Sequence, residues 1–190
     1  MKATDVLTEE HRVIEQVLNT LEYGVNQLEN GQAVRPEFFL SVTDFIRDFA
    51  DGCHHQKEEG VLFKRMEVQG LSGQGCPLGV MLAEHELGRQ YTRALFSAAQ
   101  DMKSGDLSAN RRAIQSSRSY VGLLRQHIYK EDNILFPMAD DMIPFEQHAE
   151  VWEDFEHVEH AETGEGVHEK YLSLAKVLEE EINTSVQAFE

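Results

Sequence analysis

The sequence is short of several things, and each shortage narrows the reading. Two cysteines, Cys53 and Cys76, are too few for a disulfide framework, so a reducing, cytoplasmic setting is expected. Basic side chains are scarce: 17 Lys and Arg stand against 34 Asp and Glu, a formal net charge of -17. Such a surface repels a phosphate backbone, which argues against nucleic acid as a partner. No apolar run approaches the roughly 18 residues of a membrane span. Residues 1–10 carry Asp5, Glu9 and Glu10 in place of the apolar stretch of a secretion signal. At 190 residues the chain is long enough to bury one core unaided. Against one tryptophan and five tyrosines it has nine histidines, and these are the unusual feature.

Prolines occur only at 36, 77, 137 and 144, with glycine breaks at Gly31, across residues 70–75 and at Gly105. Between them the apolar residues recur with helical period, and no run of period-2 alternation competes. A first helix over 4–29 carries the seam Leu7, His11, Ile14, Leu18, Leu21, Val25, Leu28 and stops at Asn30-Gly31. A second starts at Pro36 and runs through Phe39, Val42, Phe45, Ile46, Phe49 and Cys53 to His54, Glu58, Val61 and Leu62. The third starts at Pro77, with Leu78, Met81, Leu82, His85, Thr92, Leu95, Phe96 and Ala99 on its buried side. The fourth follows Gly105 and aligns Ala113, Ser117, Tyr120, Leu124, His127, Glu131 and Ile134, with Pro137 ending or kinking it. After Pro144 come a short acidic helix and an amphipathic one carrying Val167, Tyr171, Leu174, Leu178 and Ile182. The expected fold is all-α: an antiparallel up-down four-helix bundle over 1–140, with two additional C-terminal helices over 141–190 packing on it.

The chain also repeats itself. Glu10-His11 is echoed by Glu84-His85. The run His54-His55-Gln56-Lys57-Glu58-Glu59, followed by Leu62-Phe63, is echoed by His127-Ile128-Tyr129-Lys130-Glu131-Asp132, followed by Leu135-Phe136. The separations agree, 43 residues from His11 to His54 and 42 from His85 to His127, so the chain reads as two helical hairpins of one plan. The repeat selects among neighbours: superposing the Leu-Phe pairs aligns His54, not His55, with His127. On an ideal helix one residue is about 100° of rotation, so His55 and Glu59 are expected toward the rim.

A His and a Glu four residues apart share one helical face, so imidazole and carboxylate converge beside the helix. Two such pairs, His54 with Glu58 and His127 with Glu131, plus His11 and His85, make four imidazoles and two carboxylates. That mixture suits iron, manganese or zinc and lacks the all-oxygen shell of calcium or magnesium. It matches two divalent ions, each with two imidazoles, both carboxylates bridging. An oxo or hydroxo bridge would leave positions open to a small molecule. On apolar seams these six groups would otherwise carry a desolvation cost of several kcal/mol.

The segments Glu-His-x-x-Ile at 10–14, His-x-x-x-Glu at 54–58, Glu-His-x-x-Gly-Arg at 84–89 and His-x-x-x-Glu at 127–131, each pair followed by Leu-Phe, resemble the bacterial hemerythrin-like (HHE cation-binding) family over about residues 4–140. The resemblance implies a non-haem diiron centre with ligands His11, His54, His85 and His127 and bridging Glu58 and Glu131. Oxygen-carrying hemerythrins hold a fifth histidine four residues from the third-helix ligand, where this chain has Met81 and Arg89. Their second bridging carboxylate is an Asp five residues after its His, where this chain offers both Glu131 and Asp132. Relatives with four histidines and two glutamates are linked to oxygen sensing, peroxide or nitric oxide chemistry, and iron-centre repair.

The expected function is therefore binding of a small diatomic or peroxide ligand. The alternatives are a diiron enzyme (peroxidase, oxidase or NO reductase) served by an external electron donor, or an iron-donating or repair protein. A monomer and a homodimer are both open. The ferritin-like rival needs Glu three residues before His, but Thr8, Asp51, Leu82 and Leu124 stand there; the His-Glu-x-x-His of zincins is absent. The remaining candidates read as structural. Glu10, Glu84 and Glu15 are expected at the surface, Cys53 as a small buried hydrophobe, and Tyr120 as core. Cys76 stands at a helix start, where a thiolate would be stabilised. His148, His157, His160 and His168 are expected in solvent.

Overall fold

A computed structural model describes residues 2–71, 76–164 and 166–187, without the side chains of Glu162 and residues 182–187. Among the described residues the chain is helical throughout, with no strand. Helix α1 (Thr4–Glu29) buries Leu7, His11, Ile14, Leu18, Leu21 and Val25, the seam read from its spacing. Gly31 ends it in the left-handed region at φ 76°, a conformation that only glycine adopts at little cost.

Helix α2 spans 36–68. Arg35 is extended and Pro36 opens the first turn, as the restriction on residues before proline requires. Midway the hydrogen bonding widens to the π form over Ile46–His55 and again over Glu58–Leu62. Helix α3 (Pro77–Lys103) likewise starts at a proline. Helix α4 spans 109–142 and carries a π turn at Glu131–Leu135. Helix α5 covers 148–163, its last turn again π, and α6 is Val167–Gln187. No described helix is long and apolar enough to cross a membrane.

Three details depart from the sequence reading. Pro137 neither ends nor breaks α4, because it follows directly on the π turn. There the Phe136 N–H bonds back to the Glu131 carbonyl, and the helix continues to Met142. Leu82 and Phe96 are 42% and 41% exposed: the buried stripe of α3 runs through Leu78, Met81, His85, Gly88, Leu95 and Ala99, one residue away from each. Ile134 is exposed because the π turn at Glu131 moves the later residues off the ideal seam. Part of the glycine-rich break (72–75) and the Ile182 side chain lie outside the described residues.

Helices α1, α2, α3 and α4 pack as neighbours around a ring, with α6 laid against α1 and α2. The α1–α2 approach is close: a Cβ on Gly24 would stand 2.5 Å from the Phe38 ring. The apolar interior is divided in two. One cluster holds Ile14, Leu18, Phe38, Phe45, Phe49, Leu95, Leu124 and, from α6, Tyr171 and Leu178. The other holds Leu7, Leu62, Phe63, Met81, Leu135, Phe136 and, from α5, Val151 and Phe155. Following the chain, α1 passes from the second cluster to the first, α2 returns, α3 passes again and α4 returns. On every pass the chain crosses the gap between the clusters at a histidine.

Candidate metal centre

Those crossings bring His11, His54, Glu58, His85, His127 and Glu131 into one buried layer, none more than 2% exposed. The helical period supplies α1 and α3 with one inward imidazole each, and the four-residue spacing supplies α2 and α4 with an imidazole and a carboxylate. Glu58 lies between two histidines: Oε1 is 3.6 Å from His54 Nε2, and Oε2 is 3.4 Å from His85 Nε2. Glu131 does the same, with Oε2 3.3 Å from His11 Nε2 and Oε1 3.1 Å from His127 Nε2. The rings pair accordingly, His11 with His54 at 4.6 Å between centroids and His85 with His127 at 4.7 Å.

Nitrogen and oxygen ligands sit about 2 Å from a transition metal, so donors sharing one ion stand roughly 3–4 Å apart. The observed separations fall in that range. Two groups of donors, each with all atoms within 4.8 Å of one another, could each hold an ion: His11, His54, Glu58 and Glu131, and His55, Glu58, His85 and His127.

The electrostatics point the same way. Eight buried side-chain polar atoms among the described residues lack a hydrogen-bond partner, and six are here: Nε2 of His11 and His54 and all four oxygens of Glu58 and Glu131. Each such orphan costs about 1–3 kcal/mol. Six together rival the whole stability of a typical domain, about 5–15 kcal/mol. Burial and the Glu131 carboxylate push the Glu58 carboxyl well above the usual range. Burial also works to raise Glu131, yet His127 and His11 hold it low. Against the effect of burial, Glu131 and Glu84 lift His127 to about 9, while burial takes His54 down to about 4.

The outward nitrogen of every one of these rings is held. His11 Nδ1 meets Asp132 at 2.7 Å, His54 Nδ1 meets Glu10 at 3.0 Å, His85 Nδ1 meets Glu59 at 2.7 Å, and His127 Nδ1 meets Glu84 at 2.9 Å. Each carboxylate is in turn backed by a cation: Arg12, Lys57, Arg89 and Lys130 respectively. A carboxylate on Nδ1 fixes the ring's orientation and turns Nε2 inward, where it offers a lone pair once any proton there is lost; the inward Nε2 atoms of His85 and His127 stand 3.0 Å apart and share a hydrogen bond. The sequence repeat recurs here in three dimensions. Glu10 and Glu84, each preceding a histidine, hold the next helix's histidine; Glu59 and Asp132, which follow Glu58 and Glu131, hold the histidine one helix further round. Phe63 and Phe136 stack on His85 and His11 in the same alternation.

This geometry corrects several expectations. Glu10 is 4% exposed rather than superficial, and Glu84 and Glu59 are partly buried, because their directions off the seam aim them at a neighbouring helix instead of solvent. His55 is not at the rim: it is 5% exposed and its ring lies 3.9 Å from that of His85, nearly parallel. The cause is the π segment, whose wider turn separates successive residues by less than the 100° of an ideal helix and so turns both His54 and His55 inward. His148 is buried against the Ala3 amide, and His168 is half-buried, stacked on Phe49 and paired with Glu10 and Glu159. Their signal is the burial of α5 and α6 against the other helices, which composition does not reveal.

His157 and His160 are exposed, and Glu15 is a surface charge paired with Arg12. Cys53 is fully buried, and burial pushes its thiol up to about 11, the behaviour of a small hydrophobe. Cys76 sits half-buried before Pro77, its thiol directed to the Leu71 carbonyl. Tyr120 is buried with its hydroxyl unpartnered. It lines a cavity of about 310 Å³ that reaches the cluster at His55 and His85.

Curated relatives at 28% identity are uncharacterized proteins from Mycobacterium bovis and from two strains of Mycobacterium tuberculosis. Each aligns over 181 residues, 93% of this chain and 70% of its own length. No solved structure matches the chain significantly. The hemerythrin HHE cation binding domain matches residues 2–139, a span that contains all six inward donors and the carboxylates behind them. The chain therefore belongs to the hemerythrin HHE cation-binding family, whose domain binds metal cations.

Proposed function

We propose that this protein is a non-haem diiron protein of hemerythrin type that binds a small ligand, dioxygen, nitric oxide or peroxide, at its metal pair. In this reading His11 and His54 hold one ion, His85 and His127 the other, and Glu58 and Glu131 bridge them. Helices α1 to α4 form the family's antiparallel up-down bundle, and residues 141–190 are an extension packed on it. The observation that carries the reading is the set of six unpartnered buried donor atoms, arranged so that each carboxylate offers one oxygen to each imidazole pair. When bound, the irons would supply open coordination positions and one-electron redox chemistry. The chain's own part is to orient the imidazoles, to exclude bulk water with the two apolar clusters, and to admit the ligand through the cavity beside Tyr120 and His55.

Protein purified without chelator is expected to contain about two irons per chain and to change its optical spectrum on exposure to oxygen. A chain that takes up no iron, manganese or zinc would overturn the reading. A long-lived spectral change on adding oxygen or peroxide supports binding, whereas repeated peroxide consumption would move the assignment to an enzyme.

The outer carboxylates give a sharper expectation. Replacing Glu84 by Ala frees the His127 ring and should weaken metal binding about 10–100-fold. Isothermal titration measures this, and an unchanged affinity would contradict the role assigned to Glu84. The state of His127 sets the pH dependence. In the metal-free fold it keeps its proton up to about pH 9, against an ordinary 6.5. Its stabilising contribution is therefore complete below pH 6.5 and disappears as pH rises through 9. His54, held near 4 in the fold against an ordinary 6.5, acts in the opposite direction, but chiefly below pH 7, where its unfolded form takes up a proton. The chelated protein should lose thermal stability between pH 7 and pH 9, and metal uptake at pH 7 should release protons. Uptake with no proton release would contradict this account.

A further inference from the structure

His55 shares with the four imidazoles above their burial and the carboxylate and cation behind Nδ1, and it does so from a position no helical-period argument selects. It is buried, and its Nδ1 faces the Asp51 carboxylate at 3.3 Å. That carboxylate is backed by the Arg89 guanidinium at 2.8 Å, completing the same ring–carboxylate–cation chain seen behind His11, His54, His85 and His127. With Nδ1 so engaged, Nε2 is the nitrogen left to face inward. A ring nitrogen of His55, an oxygen of Glu58 and nitrogens of His85 and His127 all lie within 4.8 Å of one another. A histidine placed only to fill the core would not need a carboxylate and a guanidinium arranged behind it.

We propose that His55 is a fifth imidazole ligand of the metal pair, bound to the ion on the His85–His127 side. The inference rests on the six-residue reading above and extends it. The repeat makes the consequence plain, because the position matching His55 in the second hairpin is the buried apolar Ile128. The two ions are thereby made unequal, three imidazoles on one and two on the other, although the hairpins that hold them are otherwise alike. The richer ion is also the one on the cavity side, since that cavity is lined by His55, His85 and Tyr120 but not by His11 or His54.

The test uses Co(II) as the probe on the full chain. Two measurements are made: proton NMR of the wild-type Co(II) protein, and Co(II) titration of wild type and His55→Ile, the residue the repeat itself supplies. In the wild-type spectrum each coordinated ring with a protonated Nδ1 contributes one strongly shifted, exchangeable N–H resonance. Five such resonances are expected, and four would overturn the proposal. In the titration, His55→Ile should weaken one of the two Co(II) sites by more than about tenfold, the least that changes behind a ligand cost, and leave the other unchanged. Two sites of wild-type affinity in His55→Ile would overturn the proposal and leave the six-residue centre standing. Failure of the wild type itself to bind Co(II) would overturn both. Should His55→Ile not fold, the resonance count decides alone.

Discussion

Removing metal is expected to lower the melting temperature by roughly 10–30 °C. The estimate joins two independent magnitudes. A site occupied at 100- to 1,000-fold above its dissociation constant stabilises the fold by about 2.7–4.1 kcal/mol, so two sites contribute about 5–8 kcal/mol. For a chain of this length each kcal/mol moves the midpoint by about 2–4 °C. The low end of the orphan penalty agrees: six buried atoms without partners, at about 1 kcal/mol each, lose about 6 kcal/mol once the ions are gone. Calorimetry with and without chelator measures the shift, and His54→Ala should abolish most of it. Equal midpoints in the two conditions would mean that the polar layer is satisfied by something other than metal.

The second large effect is expected at Lys57. This lysine is fully buried, with its ammonium 2.5 Å from Glu10 and 2.8 Å from Glu159. Burial acts against its charge, and the Glu10 carboxylate more than offsets that. Lys57→Met leaves Glu10 and Glu159 without their shared cation, and breaking a buried pair from one side costs about 3–5 kcal/mol. The repeat provides the control. Lys130 occupies the equivalent position and backs Glu84, but its side chain is 30% exposed, so Lys130→Met should cost no more than about 1 kcal/mol. Urea unfolding of the two variants compares them directly. Similar losses would contradict the asymmetry between Lys57, enclosed with Glu10 by Glu159 of α5 and His168 of α6, and the partly exposed Lys130.

That asymmetry is what the sequence conceals. Helices were legible because Leu7, His11, Ile14, Leu18 and Leu21 follow an uninterrupted seam and because Pro36, Pro77 and Gly31 sit where helices start and stop. The convergence of the six inward donors was legible because two hairpins spell the same pattern, which makes each histidine the other's witness. The π turns were not. Their widened hydrogen bonding depends on tertiary packing, and with them went the inward turn of His55, the exposure of Ile134 and the survival of α4 past Pro137. The outer carboxylates were within reach: Glu10-His11 recurs as Glu84-His85, and Lys57-Glu58-Glu59 as Lys130-Glu131-Asp132. Treating the neighbours of a repeated histidine as part of the repeat, instead of rotating them to the surface by 100°, would have found them. Nothing in the composition of residues 141–190 shows that Glu159 and His168 close over Glu10 and Lys57, since that contact joins segments more than a hundred residues apart.

The arrangement also explains why so acidic a chain can tolerate a carboxylate-rich interior. Each buried or half-buried carboxylate behind a ring is backed by a cation, with Arg89 serving both Glu59 and Asp51, so the negative charge that raises the basicity of the imidazoles is balanced locally. Only Glu58 and Glu131 lack such a partner, and they are the two that face both imidazole pairs.

The most direct test is an anomalous-scattering map from crystals of the iron-loaded protein, collected across the iron absorption edge. Two peaks are expected, one between His11 and His54 and one between His85 and His127, with Glu58 and Glu131 lying between them. An empty layer there, or iron found instead at the Glu10, Glu159 and His168 group, would contradict the account.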